Sequence, residues 1–190
     1  MKNIVLAALF STPFITLSVH ADDSKTSNTS SFEKSWNIGL GSYANTINID
    51  SSYRDEDIEF SGLTITGSYS FSDNVAVRAS YFSLENDDIS AIESKGLDLV
   101  AYYGTGLATN GFKAYVGGGV YTDTWSAFGD DEDFSGFQIN GGIGYNWSPV
   151  AIDLVLGVRS ASDYADLIED GGGEGEVMAV SASLLVSARF

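Results

Sequence analysis

The 190-residue sequence contains no cysteine, two prolines and a single histidine, His20. Without thiols there can be no disulfide, no thiol nucleophile and no cysteine-based metal centre, so the fold must hold by packing and hydrogen bonding. Cations are scarce: nine Lys and Arg stand against 26 Asp and Glu, giving a formal charge of −17. A surface of that sign repels nucleic acid and anionic lipid, which argues against nucleic acid as a partner. Long apolar runs are missing too. After residue 21 no stretch approaches the roughly 18 uninterrupted apolar residues of a membrane-spanning helix, which excludes a helical membrane protein. Lipid otherwise tolerates only a closed barrel, because every backbone N–H and C=O must be paired internally.

What is present begins with an address. Lys2 supplies a short basic region, Ile4 to Leu17 an apolar stretch broken by Pro13, and Val19-His20-Ala21 a small-residue cleavage site, together reading as an export signal over residues 1–21. Cleavage there leaves 169 residues, enough for one domain, and removing Lys2 takes the formal charge from −17 to −18. Residues 22–35 are rich in Ser, Thr, Asn and charge and read as a flexible leader, so the folded domain is expected over 36–190.

From Trp36 onward, period-two alternation recurs in segments long enough for tilted transmembrane strands. It predicts eight: Trp36–Ile49, Ile58–Phe71, Val75–Leu84, Ser94–Leu107, Phe112–Trp125, Phe134–Trp147, Val150–Ser160 and Glu176–Phe190. In the sixth, Phe137, Ile139, Ile143, Tyr145 and Trp147 share one face, and Gln138, Asn140 and Asn146 the other. The first strand is irregular. Its apolar set starts as Trp36, Ile38 and Leu40 and continues as Tyr43, Ile47 and Ile49, a phase change that reads as a bulge near Gly41.

Connections alternate in length. Ser72-Asp73-Asn74, Ala108-Thr109-Asn110-Gly111 and Ser148-Pro149 are tight turns, whereas Asp50–Asp57, Glu85–Glu93, Ser126–Asp133 and Ala161–Gly175 read as long, acidic loops. The expected fold is therefore all-β, an eight-stranded antiparallel up-and-down barrel with short turns at one end and anionic loops at the other.

A soluble, secreted ligand-binding barrel shows the same alternation but turns its aliphatic face inward. Aromatic placement and charge favour the membrane instead. Trp36, Phe71, Phe112, Trp147 and Phe190 fall near strand ends at the short-turn side. Tyr81, Tyr121, Trp125, Phe134 and Phe137 lie toward the loop side, so two interfacial girdles are expected. The face opposite the aliphatic one carries Arg78, Asp98, Lys113, Asp153 and Arg159, expected to point inward and pair as a charged lumen core. Gly117, Gly119, Gly142 and Gly144 on that face leave room for Tyr102, Tyr115, Tyr121 and the long basic residues.

The final strand runs through Leu184, Val186 and Ala188 to Phe190. With the export signal, eight strands and asymmetric connections, the chain resembles small outer-membrane barrels of the OmpX/Ail and opacity-protein type and the OmpA transmembrane domain. That resemblance implies a place in the outer membrane among its lipids and lipopolysaccharide. It also implies recognition of the last strand by the barrel-assembly machinery after escort by periplasmic chaperones. A long peptidoglycan-binding extension does not follow Phe190, so peptidoglycan anchoring is not expected.

Chemistry is thin. Acyl-transferring outer-membrane barrels rely on histidine, and His20 lies in the signal, so no Ser–His–acid site can be built and no enzymatic activity or cofactor is expected. The acid runs Asp55-Glu56-Asp57, Asp130-Asp131-Glu132-Asp133 and 169–176 offer hard oxygen ligands without EF-hand spacing, and among them Asp130, Asp131 and Asp133 are the calcium candidates. Their simpler reading is a solvated face. In the loops, Phe128 and Tyr164 stand among acids as candidates for recognising an extracellular partner. The functions compatible with this are a non-enzymatic surface protein serving envelope integrity or adhesion, or a narrow channel through the charged lumen.

Overall fold

A computed structural model describes residues 34–50, 55–87, 89, 91–127, 130–160 and 176–190. Eight strands follow one another: β1 Trp36–Asp50, β2 Asp55–Ser70, β3 Val75–Asn86, β4 Ile92–Thr105, β5 Gly111–Ala127, β6 Asp130–Asn146, β7 Val150–Arg159 and β8 Glu176–Arg189. Each pairs antiparallel with its neighbours, and β1 pairs β8 to close the barrel. Closure leaves no strand edge at the level of the lipid. The expected export signal and leader lie outside the described residues except for Lys34 and Ser35.

The aliphatic face points outward. Leu63, Ile65, Leu97, Leu99, Ile139 and Leu156 are all more than half exposed, while Asp98, Lys113, Asp153 and Arg159 are buried inside. Water would not hold such an exterior, but lipid would, so the soluble binding barrel is overturned.

The bulge near Gly41 is also overturned. Pairing of β1 runs without a break from Trp36↔Tyr69 to Asp50↔Asp55 on one side and from Asn37↔Arg189 to Asp50↔Glu176 on the other. A Cβ on Gly41 would lie 2.0 Å from the Leu184 carbonyl oxygen, so this glycine serves close strand approach. The change of phase is one of environment, not register. Below it Trp36, Ile38 and Leu40 face lipid; above it Tyr43 and Ile47 face inward and are buried.

The same inversion recurs on neighbouring strands. Outward residues pass from Ile65 and Leu63 to Ser61 and Glu59 on β2, from Leu99 and Leu97 to Lys95 and Glu93 on β4, and from Ile139 and Phe137 to Ser135 and Asp133 on β6. Inward residues change oppositely, and Ile47, Phe60, Phe82, Leu84, Tyr121 and Phe134 pack into an apolar cluster. A 17-residue strand such as β5 extends on the order of 55 Å, so even when tilted it rises beyond the roughly 25 Å apolar band of an outer-membrane barrel. Above that band the wall meets water and must bury its apolar residues inside.

Three of the four expected loops are correspondingly shorter. The ladders continue to Asp50↔Asp55, Glu85↔Glu93 and Ala127↔Asp130. Acidic side chains do not prevent this, since the ladder is made by backbone groups, and Glu85 and Asp131 are exposed.

Candidate functional site

Two features can carry function: the filled lumen and the rim above the membrane. The lumen is closed at the short-turn end by the β4–β5 turn, where Leu107 and Ala108 are buried. Arg189, next to last in the chain, donates to the carbonyl oxygens of Ala108 at 2.6 Å and Trp147 at 2.8 Å and to Asn110 Oδ1 at 2.8 Å. Asn146 donates to the Gly106 and Thr109 carbonyls. From the β2–β3 turn, Asp73 accepts from the Gly106, Ala108 and Thr109 amides and from the Thr109 hydroxyl at 2.8 Å. Gly106 permits the turn with a φ of 74°. Partial burial works to raise the Asp73 pKa, but those four hydrogen bonds outweigh it and hold the carboxyl below its ordinary value.

Above the turn lies the first ion cluster. Lys113 Nζ is 2.8 Å from Asp153 Oδ2, the Tyr115 hydroxyl donates to Asp153 Oδ1 at 2.6 Å, and Arg78 approaches the same oxygen at 3.5 Å. The Arg78 guanidinium also faces the rings of Tyr102 and Tyr115, 5.1 and 5.5 Å from their centres. Glycines make the room: a Cβ on Gly142 would meet the Tyr115 ring at 2.5 Å, one on Gly117 the Tyr102 ring at 2.5 Å, and one on Gly144 the Lys113 chain at 2.7 Å.

A second cluster sits nearer the long-connection end. Arg159 Nη2 donates to Asp98 Oδ1 at 2.8 Å and to the Tyr43 hydroxyl at 2.5 Å, and its Nη1 lies 3.9 Å from Asp123 Oδ2. Gln138 and the Tyr43 hydroxyl add hydrogen bonds to Asp98, and Ser94 and the Trp125 indole do so to Asp123. The guanidinium lies between the rings of Tyr121, Phe82 and Tyr43. The apolar cluster then covers this level.

The five charged residues read as a lumen set thus fall into two groups, Arg78, Lys113 and Asp153 in one, Asp98 and Arg159 in the other. Sequence reasoning missed Asp123, Tyr43 and Arg189 as partners. The signal for Asp123 was parity, since it shares odd numbering with Lys113 and Tyr115 on β5. Tyr43 was hidden by the phase inversion.

Of the expected girdle, Trp36, Phe71, Phe112, Trp147 and Phe190 are exposed at the short-turn end, and Tyr81 is exposed on the outer wall. Tyr121 and Trp125 are corrections, and Phe134 with them: Tyr121 is 1% and Phe134 5% exposed, and Trp125 packs inward between Phe60 and Phe134. They lie above the apolar band, where burial favours the inside. In the last strand Leu184, Val186, Ala188 and Phe190 all face outward.

On the rim, Glu59, Glu85, Asp87, Asp131, Glu132 and Asp133 are exposed, and Lys95 pairs with Glu93. The side chain of Asp130 and the candidates Phe128 and Tyr164 lie outside the described residues. Among the described residues no group of three metal-ligating side chains comes together.

The sequence matches no family model and no curated protein. Solved structures do match. Ail, the attachment invasion locus protein of Yersinia pestis, aligns with 18% identity and a TM-score of 0.54 over 83% of this chain and 99% of that one. A second structure of Ail, in complex with the heparin analogue sucrose octasulfate, gives 19% and 0.52 over the same shares. Neisserial surface protein A aligns with 14% identity and a TM-score of 0.53 over 80% of this chain and 97% of that one. At these identities the likeness is one of architecture, and together with the lipid-compatible exterior it makes this chain an eight-stranded transmembrane barrel of the outer-membrane type.

Proposed function

We propose that this protein is a non-enzymatic outer-membrane surface protein whose sealed barrel is a rigid support for the hairpins that rise above the membrane. The filled lumen carries this reading: the turn, two ion clusters and an apolar cluster succeed one another along the axis, an arrangement that supports a scaffold and opposes a channel. On this reading lipopolysaccharide surrounds the wall, and the barrel-assembly machinery with periplasmic chaperones delivers it, the last strand through Leu184, Val186, Ala188 and Phe190 serving as the signal.

The rim supports a partner of definite charge. Carboxylates dominate its described part, whereas Lys113, Arg159 and Arg189 are buried in the lumen and Arg78, partly buried, pairs with Asp153 there. A cationic protein or peptide surface fits such a rim, and a polysulfate of the kind bound to Ail does not. Adhesion or envelope contact would then run through acid-to-base attraction. The barrel in nanodiscs should bind fluorescent polylysine with an affinity that falls as salt rises, should not bind heparin, and should give no discrete conductance steps in planar bilayers. Heparin binding would overturn the partner class, and regular steps would overturn the scaffold.

A further inference from the structure

Between the two ion clusters lies a cavity of about 20 Å³, lined by Tyr43, Arg78, Ser80, Asp98, Asn140 and Ser181 among others. Its volume is above the roughly 10–15 Å³ that one water needs. The clusters on either side carry opposite formal excess: Arg78, Lys113 and Asp153 hold two positive charges and one negative, whereas Arg159, Asp98 and Asp123 hold one positive and two negative. The cavity therefore lies between a donor-rich group, through Arg78, and an acceptor-rich one, through Asp98.

One wall supplies a polar atom without a partner. Asn140 is buried, and its Oδ1 accepts no hydrogen bond among the described residues, while its amide nitrogen makes only long contacts, 3.5 Å to the Tyr102 hydroxyl and 3.4 Å to Gln138 Oε1. A buried acceptor left unsatisfied costs about 1–3 kcal/mol. Gly157 clears the space beside it: a Cβ there would fall 2.2 Å from Asn140 Oδ1 and 2.6 Å from Ser181 Oγ, both belonging to residues of the cavity wall.

We infer that this cavity is a binding site for a single water molecule that donates to Asn140 Oδ1 and bridges Arg78 to Asp98, joining the two ion clusters into one network. A dipolar ligand suits the site because Arg78 offers hydrogen to its oxygen while Asp98 and Asn140 accept its two protons, which accounts for both donors and one of its acceptor positions. A bound cation would sit beside the Arg78 guanidinium, and a bound anion beside Asp98, each against like charge.

The test is a crystal structure of the detergent-solubilised barrel at a resolution that shows ordered water, paired with oxygen-17 magnetic relaxation dispersion, which counts internal waters of long residence. The expected result is one density peak within hydrogen-bonding distance of Asn140 and of Arg78 or Asp98, and loss of one long-lived water in Asn140→Leu with the heat-dependent gel shift retained. Three results on the unmodified protein would overturn the inference, whether or not the variant folds: no density in the cavity, a peak with the short contacts of a metal ion that changes with the salt used, or a file of waters reaching a mouth of the barrel.

Discussion

Arg159 and Asp98 meet at 2.8 Å with their side chains 0% and 7% exposed, across the lumen from β7 to β4. A pair so buried does not add stability simply by being charged, because taking both ions from water offsets much of their attraction. Removing one partner is another matter, since the remaining charge stays inside.

Asp98→Asn keeps the shape of the side chain and takes away its charge, leaving Arg159 with Asp123 at 3.9 Å. The expected loss is about 3 kcal/mol, near the lower end for a broken buried pair. Lys95→Ala is the control on the same strand, where the Glu93 pair is exposed and the change should be far smaller than that of Asp98→Asn. Urea unfolding of the barrel in detergent, followed by the heat-dependent gel shift, measures both. Equal effects would mean that the lumen pair is no more important than the surface one.

Acid should loosen the short-turn end through Asp73. Its carboxyl is held below the ordinary value by hydrogen bonds from the β4–β5 turn that outweigh its burial, so the folded state favours the ionised form. The stabilisation is then fully present above the ordinary carboxylate pKa of about 3.9 and is lost as pH falls through the lower folded value. Hydrogen exchange at the Gly106, Ala108 and Thr109 amides should quicken across that window, after correction for the intrinsic pH dependence of exchange. Asp73→Asn should quicken it at neutral pH and leave little further change on acidification. An unchanged acid response in the variant would assign the effect to other carboxylates.

How far the fold was legible depends on the level in the wall. Within the apolar band, alternation in β4, β6 and β8 separates lipid from lumen without ambiguity, and Arg78, Lys113 and Asp153 could be placed inside by parity. Above the band the same parity holds but the chemistry reverses, so Tyr43, Trp125 and Phe134 read as outward aromatics when they face in, and Tyr121 reads both as a lumen filler and as a girdle residue. Hydrophobicity marks a face only relative to the solvent outside it, and nothing in a single strand states where lipid gives way to water. The clamp of Arg189 on the β4–β5 turn was not legible at all, because it joins the last strand to a turn 81 positions earlier.

That reversal makes a direct comparison possible between two leucines on adjacent strands. Leu84 on β3 is 1% exposed and packs in the apolar cluster above the membrane, whereas Leu63 on β2 is 70% exposed on the lipid face. Leu84→Ala leaves a cavity in a core surrounded by water and should cost about 2–5 kcal/mol. Leu63→Ala leaves a recess that lipid or detergent chains can fill, so its cost should be well below that of Leu84→Ala. Leu63→Arg should instead be costly, on the order of 2–4 kcal/mol at the midplane and less toward the interface, while Glu59→Arg, four residues farther along β2 on the exposed rim, should be nearly neutral. Equilibrium unfolding in detergent and in lipid vesicles reads all four. If Leu63→Ala proves as costly as Leu84→Ala, or Glu59→Arg as costly as Leu63→Arg, the boundary between lipid and water does not run between these positions and the phase inversion needs another cause.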